Sequence, residues 1–196
     1  KELVRILDDL KISFEIFWQK CRKDDIFAKL ASGRLSKCAT RQGSKDEEEQ
    51  LRTCNFTTHI CDVKITKLCS SALRPSKDGL IITKREMKYK NIKKDFCLKS
   101  FDGKISGKIN GYITSKISFG KGGHQDNVFE ELDAIAKWWC KYKLVSEEFL
   151  ILLIDTDLID KVTYLRKQYD KIEKIKIFNH YEFQKYIIST YYEESI

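Results

Sequence analysis

Nowhere in this chain do apolar residues run for the ~20 positions that a membrane-crossing helix needs. The apolar stretch Leu150-Ile151-Leu152-Leu153-Ile154 is far too short, lies mid-chain and reads as a buried strand. There is one proline, no internal repeat and no low-complexity tract, which excludes proline-rich linkers and solenoid arrays. The seven cysteines, at 21, 38, 54, 61, 69, 97 and 140, include no CxxC pair. His59 and Cys61 have no second ligand pair at finger-like spacing, so a zinc module is not expected. An odd number of thiols without such spacing fits reduced, mostly buried cysteines in a cytoplasmic protein. No signal peptide is visible at the start. The chain opens on Lys1 and its one methionine is Met87, as expected of a processed product or a fragment.

What is present fits a globular α/β protein. The 196 residues are 42% hydrophobic and 34% charged, enough for one well-buried domain over 1–196. Its expected parts are an N-terminal helical portion, about 1–55, and a sheet core, about 56–180. A net charge of +8 points to an anionic partner, nucleic acid being the commonest. Acids interspersed among the lysines argue against a continuous basic stripe.

Leu3, Ile6, Leu7, Leu10, Phe14, Phe17 and Cys21 recur at helical steps, so the first twenty-odd residues are predicted to form one amphipathic helix. A polar segment from Ser32 to Lys45 follows, with Gly33 and Gly43 as breakers and Ser44 as N-cap of a second helix. Short strands are expected near 61–65 and 80–83, around a turn at Pro75 and Gly79. A hairpin over about 103–118 comes next, and then a helix capped by Asp126 or Asn127. A buried strand at 149–154, a helix near 157–170, a strand at 175–178 and a last helix near 181–192 complete the order. It describes a mixed central sheet flanked by helices, antiparallel at one edge and parallel at the other.

The hairpin carries the chemistry. With its turn centred near Ile109, Asp102 lies opposite Lys116, close enough for both to reach one phosphate. Thr114 and Lys116, two apart, share a strand face. A carboxylate there can hold Mg²⁺ against a scissile phosphate, where the ion activates a water. A lysine beside it stabilises the developing charge.

Asp102 and Thr114-Ser115-Lys116, in an order of helix, antiparallel strands, helix and strand, resemble the core of the PD-(D/E)XK nucleases. The segments Gly120-Lys121-Gly122-Gly123-His124-Gln125-Asp126-Asn127 and Arg41-Gln42-Gly43-Ser44-Lys45-Asp46-Glu47 are similar to those of bacterial type II restriction endonucleases. The likeness covers roughly residues 45 to 180, on a short and degenerate motif. It implies a restriction-endonuclease-like fold, Mg²⁺-dependent hydrolysis of double-stranded DNA at a specific sequence, and a homodimer able to cut both strands. Asp102 then matches the first metal-binding aspartate and Lys116 the motif lysine.

Thr114 departs from the pattern, for the family normally has an acid there. Glu47 on the preceding helix can supply the second carboxylate. The alternatives are a disabling substitution, or a degenerate nuclease that only binds DNA. Another register takes its acids from Asp78 in Arg74-Pro75-Ser76-Lys77-Asp78-Gly79 and from Asp102-Gly103-Lys104. Gln125 is a candidate for ordering water at the metal. Lys121, His124, Arg41, Gln42 and Lys45 are candidates for DNA contact from polar loops. A different phosphoryl-transfer site at Asp155 and Asp157, at the end of a buried strand, remains open beside Asp157 as a helix cap. Trp138 and Trp139 read as core.

Overall fold

A computed structural model describes residues 2–35, 39–69, 72–118 and 123–192. Its centre is a five-stranded mixed sheet in the order β1-β4-β5-β6-β7: β1 (Val63–Lys67), β4 (Gly103–Gly107), β5 (Gly111–Ser118), β6 (Phe149–Thr156) and β7 (Ile175–Phe178). The pairs β1/β4 and β4/β5 are antiparallel, whereas β5/β6 and β6/β7 are parallel. The expected change from an antiparallel to a parallel edge is therefore present.

Alternation along the strands sends side chains to two cores. Tyr112, Leu150, Leu152 and Ile154 pack beneath α6 (Gly123–Tyr142) and α7 (Ile159–Tyr169). Trp139 of α6 is fully buried there, with its ring edge-on to Phe101 at 6.3 Å. Ile105, Ile113, Ile151 and Leu153 face the other way, toward α4 (Ala39–Thr58) and α8 (His180–Tyr191). Asn55 ties α4 to the sheet edge, its Oδ1 accepting from the Ile65 N–H at 2.6 Å.

The N-terminal region departs from expectation. Instead of one helix there are α1 (Glu2–Leu10), α2 (Phe14–Lys23) and α3 (Asp25–Leu35). Lys11 turns left-handed at φ 53°, and Ser13 then caps α2 by accepting from the Ile16 N–H. Asp24 likewise accepts from the Phe27 N–H at 3.0 Å at the start of α3. The apolar period survives the breaks, because Ile6, Phe17, Phe27 and Leu30 meet in a small core of their own. Gly33 lies within α3, and Gly43 within α4, which begins at Ala39 rather than near Lys45. Glycine lowers helix propensity by only ~1 kcal/mol, too little to override a long helix docked on a sheet.

Between β1 and β4 the chain makes an excursion. It holds a two-stranded sheet of β2 (Leu73–Pro75) and β3 (Ile81–Thr83), then the short helix α5 (Lys84–Tyr89). Neither β2 nor α5 is evident from periodicity, since each is only a few residues long. Thr83 and Glu86 form a reciprocal capping box that starts α5. Gly79, at φ +90°, lies flat against Tyr142, whose ring leaves 2.5 Å for any added Cβ.

Candidate active site

The hairpin turns one residue earlier than the sequence suggests. Gly103 pairs with Ile113 and Ile105 with Gly111, so the residue opposite Asp102 is Thr114 and Lys116 lies diagonally beyond it. Gly107 sets this turn, because at φ +114° a Cβ would meet the Asp62 carbonyl oxygen at 1.9 Å. A lysine has the length to cover the diagonal. Its Nζ lies 3.6 Å from Asp102 Oδ2 and 3.4 Å from Glu47 Oε1. Asp102, Glu47 and Lys116 thus converge, drawn from the mouth of β4, from α4 and from β5.

Each member is held by its element. Asp102 donates its N–H to the Ile113 carbonyl, accepts the Leu68 N–H on its own carbonyl, and accepts the Ser115 N–H on Oδ2 at 2.9 Å. Its Oδ1 takes no hydrogen bond among the described residues. In the run Glu47-Glu48-Glu49, Glu48 pairs with Lys67 and Glu49 with Arg52, both near the surface. Glu47 alone of the three approaches Lys116.

Electrostatics couple the group. Burial pushes the Asp102 carboxyl above its usual range, against the pull of Lys116 and the Ser115 N–H. Burial also raises Glu47, and the Asp102 charge adds to this while Lys116 opposes it. For Lys116 burial acts downward, but the Asp102 and Glu47 carboxylates outweigh it and the ammonium is held above its ordinary value.

Sequence reasoning overlooked a polar layer beside these charges. Gln50, one helical turn beyond Glu47, is fully buried and accepts the Ser115 hydroxyl. Among the described residues its Nε2 has no partner, nor do Thr114 Oγ1 and Ser118 Oγ, although all three are buried. The signal was the run Thr114-Ser115-Lys116 within an otherwise apolar central strand. Buried polar atoms are normally paired, so Thr114 Oγ1, on the same strand face as Lys116, stands out as an unsatisfied group beside the charges.

The remaining candidates fall elsewhere. Arg41, Gln42 and Lys45 ride the first turns of α4, not a loop, and their side chains lie outside the described residues. Lys121 is outside them altogether. His124 and Gln125 are in the first turn of α6, which begins at Gly123 and so before the expected cap, and their side chains are likewise not described. Asp78 is exposed in the β2–β3 turn, where it accepts from the Ser76 hydroxyl, and Lys104 is exposed on β4.

At the end of β6, Asp155 is buried and gives both oxygens to His180, one to the ring at 2.7 Å and one to the backbone N–H at 3.1 Å. Asp157 does not cap α7; instead Thr156 Oγ1 accepts from the Leu158 N–H. Cys54 Sγ lies 4.0 Å from the His180 carbonyl, and burial pushes its thiol up to about 12, which makes it inert. His59 bonds the Phe56 carbonyl through its ring.

Among the described residues no three His, Cys, Asp or Glu side chains form a metal cage, and no helix is long and apolar enough to cross a membrane. Mg²⁺ needs less than a cage, since one or two carboxylates plus substrate phosphate and water suffice. Asp102, with a free oxygen, and Glu47 fit that demand. Comparison with family models, with curated proteins and with solved structures gives no match.

Proposed function

We propose that this protein is a Mg²⁺-dependent endonuclease of the PD-(D/E)XK type, cutting double-stranded DNA at a specific sequence in the manner of a type II restriction enzyme. The observation that carries the reading is the approach of Lys116 to within 4 Å of both Asp102 and Glu47 beside a buried, unpartnered hydroxyl. Asp102 and Glu47 would hold the ion, which would supply charge neutralisation at the phosphate and a more acidic water. Lys116 stabilises the charge that develops on the phosphate oxygens. Glu47 stands in for the acid that Thr114 replaces. The restriction-endonuclease-like fold, a homodimer and a cytoplasmic location belong to this proposal.

The test is supercoiled plasmid of mixed sequence, incubated with Mg²⁺ or with EDTA. Discrete fragments are expected with Mg²⁺ alone, and none from the Asp102→Ala protein. Thr114 itself favours a second reading, a DNA-binding protein on a nuclease scaffold that does not cut. Salt-sensitive duplex binding without cleavage in any divalent metal would decide for that reading.

A further inference from the structure

The net charge is not spread evenly. Residues 72–100, the excursion between β1 and β4, hold nine Lys and Arg against three Asp and Glu, a surplus of six out of the chain's +8. Over 84–94 alone there are six cations, Lys84, Arg85, Lys88, Lys90, Lys93 and Lys94, and one acid, Glu86. All six are exposed, and among the described residues none forms an ion pair. Lys99 at the root of the lobe, by contrast, pairs with Glu131 at 3.2 Å. The one acid over 84–94, Glu86, is exposed and engaged with Thr83, whose N–H and hydroxyl it accepts in the capping box.

Helix α5 organises part of this charge. Lys84, Arg85, Lys88 and Tyr89 fall on one side of it, while Met87 is buried on the other. Tyr89 is 89% exposed, an unusual setting for an aromatic ring with nothing to cover it. Beside the helix, Lys77, Asn91, Ile92, Lys93, Asp95 and Phe96 line an open hollow of about 450 Å³.

The lobe is also stiffly mounted. Trp138 of α6 donates its indole N–H to the Ser76 carbonyl at 2.6 Å, and Tyr142 donates its hydroxyl to the Lys77 carbonyl at 2.9 Å. Trp138 is therefore a fastener for the lobe as well as core. Its root joins the candidate site directly, through the Phe101 N–H to the Leu73 carbonyl and the Leu68 N–H to the Asp102 carbonyl.

From this concentration of unpaired cations on a rigid lobe rooted at Asp102, we infer that residues 77–94 are a grip for the phosphate backbone of duplex DNA. Lysines and arginine meet successive phosphates, and Tyr89 supplies a hydroxyl to the same backbone. Such contacts fix where the duplex lies without reading its sequence. The inference rests on the proposed DNA substrate but not on hydrolysis.

The experiment is fluorescence anisotropy with a labelled 30-base-pair duplex over a salt series in EDTA. The proteins are wild type, K84E/R85E/K88E, the milder K84A/R85A/K88A, and a control with three exposed lysines reversed elsewhere, K167E/K171E/K185E. The lobe reversal is expected to weaken binding at least about tenfold and to lower the slope of log K against log salt by about 2 to 3. The alanine variant should fall in between, while the control keeps a near-wild-type slope. Equal losses from lobe and control, an unchanged slope in both lobe variants, or lobe-dependent binding to phosphatidylserine vesicles in place of duplex would overturn the inference. Wild-type protein that binds through the lobe yet never cuts removes the hydrolytic reading and leaves the grip.

Discussion

The paired strands β5 and β6 each carry one member of a polar contact, Lys116 with Asp102 and Glu47 at β5 and Asp155 with His180 at β6, and the two contacts are closed to different degrees. At β6 the Asp155–His180 pair is closed, with both carboxylate oxygens engaged and both residues no more than 3% exposed. At β5 the distances from Lys116 to Asp102 and Glu47, 3.6 and 3.4 Å, exceed the ~2.7–2.9 Å of a tight charge-assisted hydrogen bond. Among the described residues Thr114 Oγ1, on the strand face of Lys116, is left without a partner. A satisfied pair fastens two elements together, here β6 to α8. An incompletely satisfied one gives up stability to keep space for something else.

The sharpest way to test this contrast is to compare denaturation of two acid variants. Asp155→Ala leaves His180 buried without its partner and is expected to lose about 3–5 kcal/mol in urea unfolding. Asp102→Asn keeps the shape and removes a desolvated charge, so its midpoint should stay near wild type or rise. Equal losses would erase the distinction.

In plasmid cleavage the order reverses. Lys116→Ala is expected to slow cutting by about 10²–10³-fold, the range for losing one preorganised charge-stabilising group. Asp155→Asn, where it remains folded, should cut at close to the wild-type rate.

A smaller effect lies in the pH dependence of stability. Because Asp102 and Glu47 are raised by burial, the native state holds protons that the unfolded chain releases. Their contribution to stability is full below the ordinary carboxylate range, near pH 4, and is lost as pH rises through the raised values. Urea midpoints of wild type should fall relative to the Asp102→Asn/Glu47→Gln variant between about pH 4 and 7, with EDTA present. Parallel profiles would mean that the two acids are well solvated.

Smallest of all should be Thr114→Val. Removing a buried hydroxyl that has no partner is expected to be neutral or to stabilise by up to ~1 kcal/mol, read from the same unfolding curves.

The sheet was legible in the sequence because its strands carry strong signals: β7 falls on 175–178 as read, and β6 overruns its predicted end by two residues. The convergence of Asp102 with Lys116 was legible too, although the turn lies one residue earlier and makes the contact diagonal. That shift is set by the close approach of Gly107 to Asp62, a tertiary constraint with no local signature. The breaks between α1, α2 and α3 were hidden because apolar spacing continues through them. The lysine-rich lobe was missed for another reason: averaged along the chain the acids dilute the charge, and a chain-wide count hides six cations that lie within 84–94.

Between Leu98 and Asp102 the chain has no glycine, and Phe101 is almost wholly enclosed. Four peptide links therefore join the far lobe to the carboxyl oxygen with little slack. Under the proposed function, a duplex gripped by the lobe would therefore lie within a few residues of the Asp102 carboxylate along the chain.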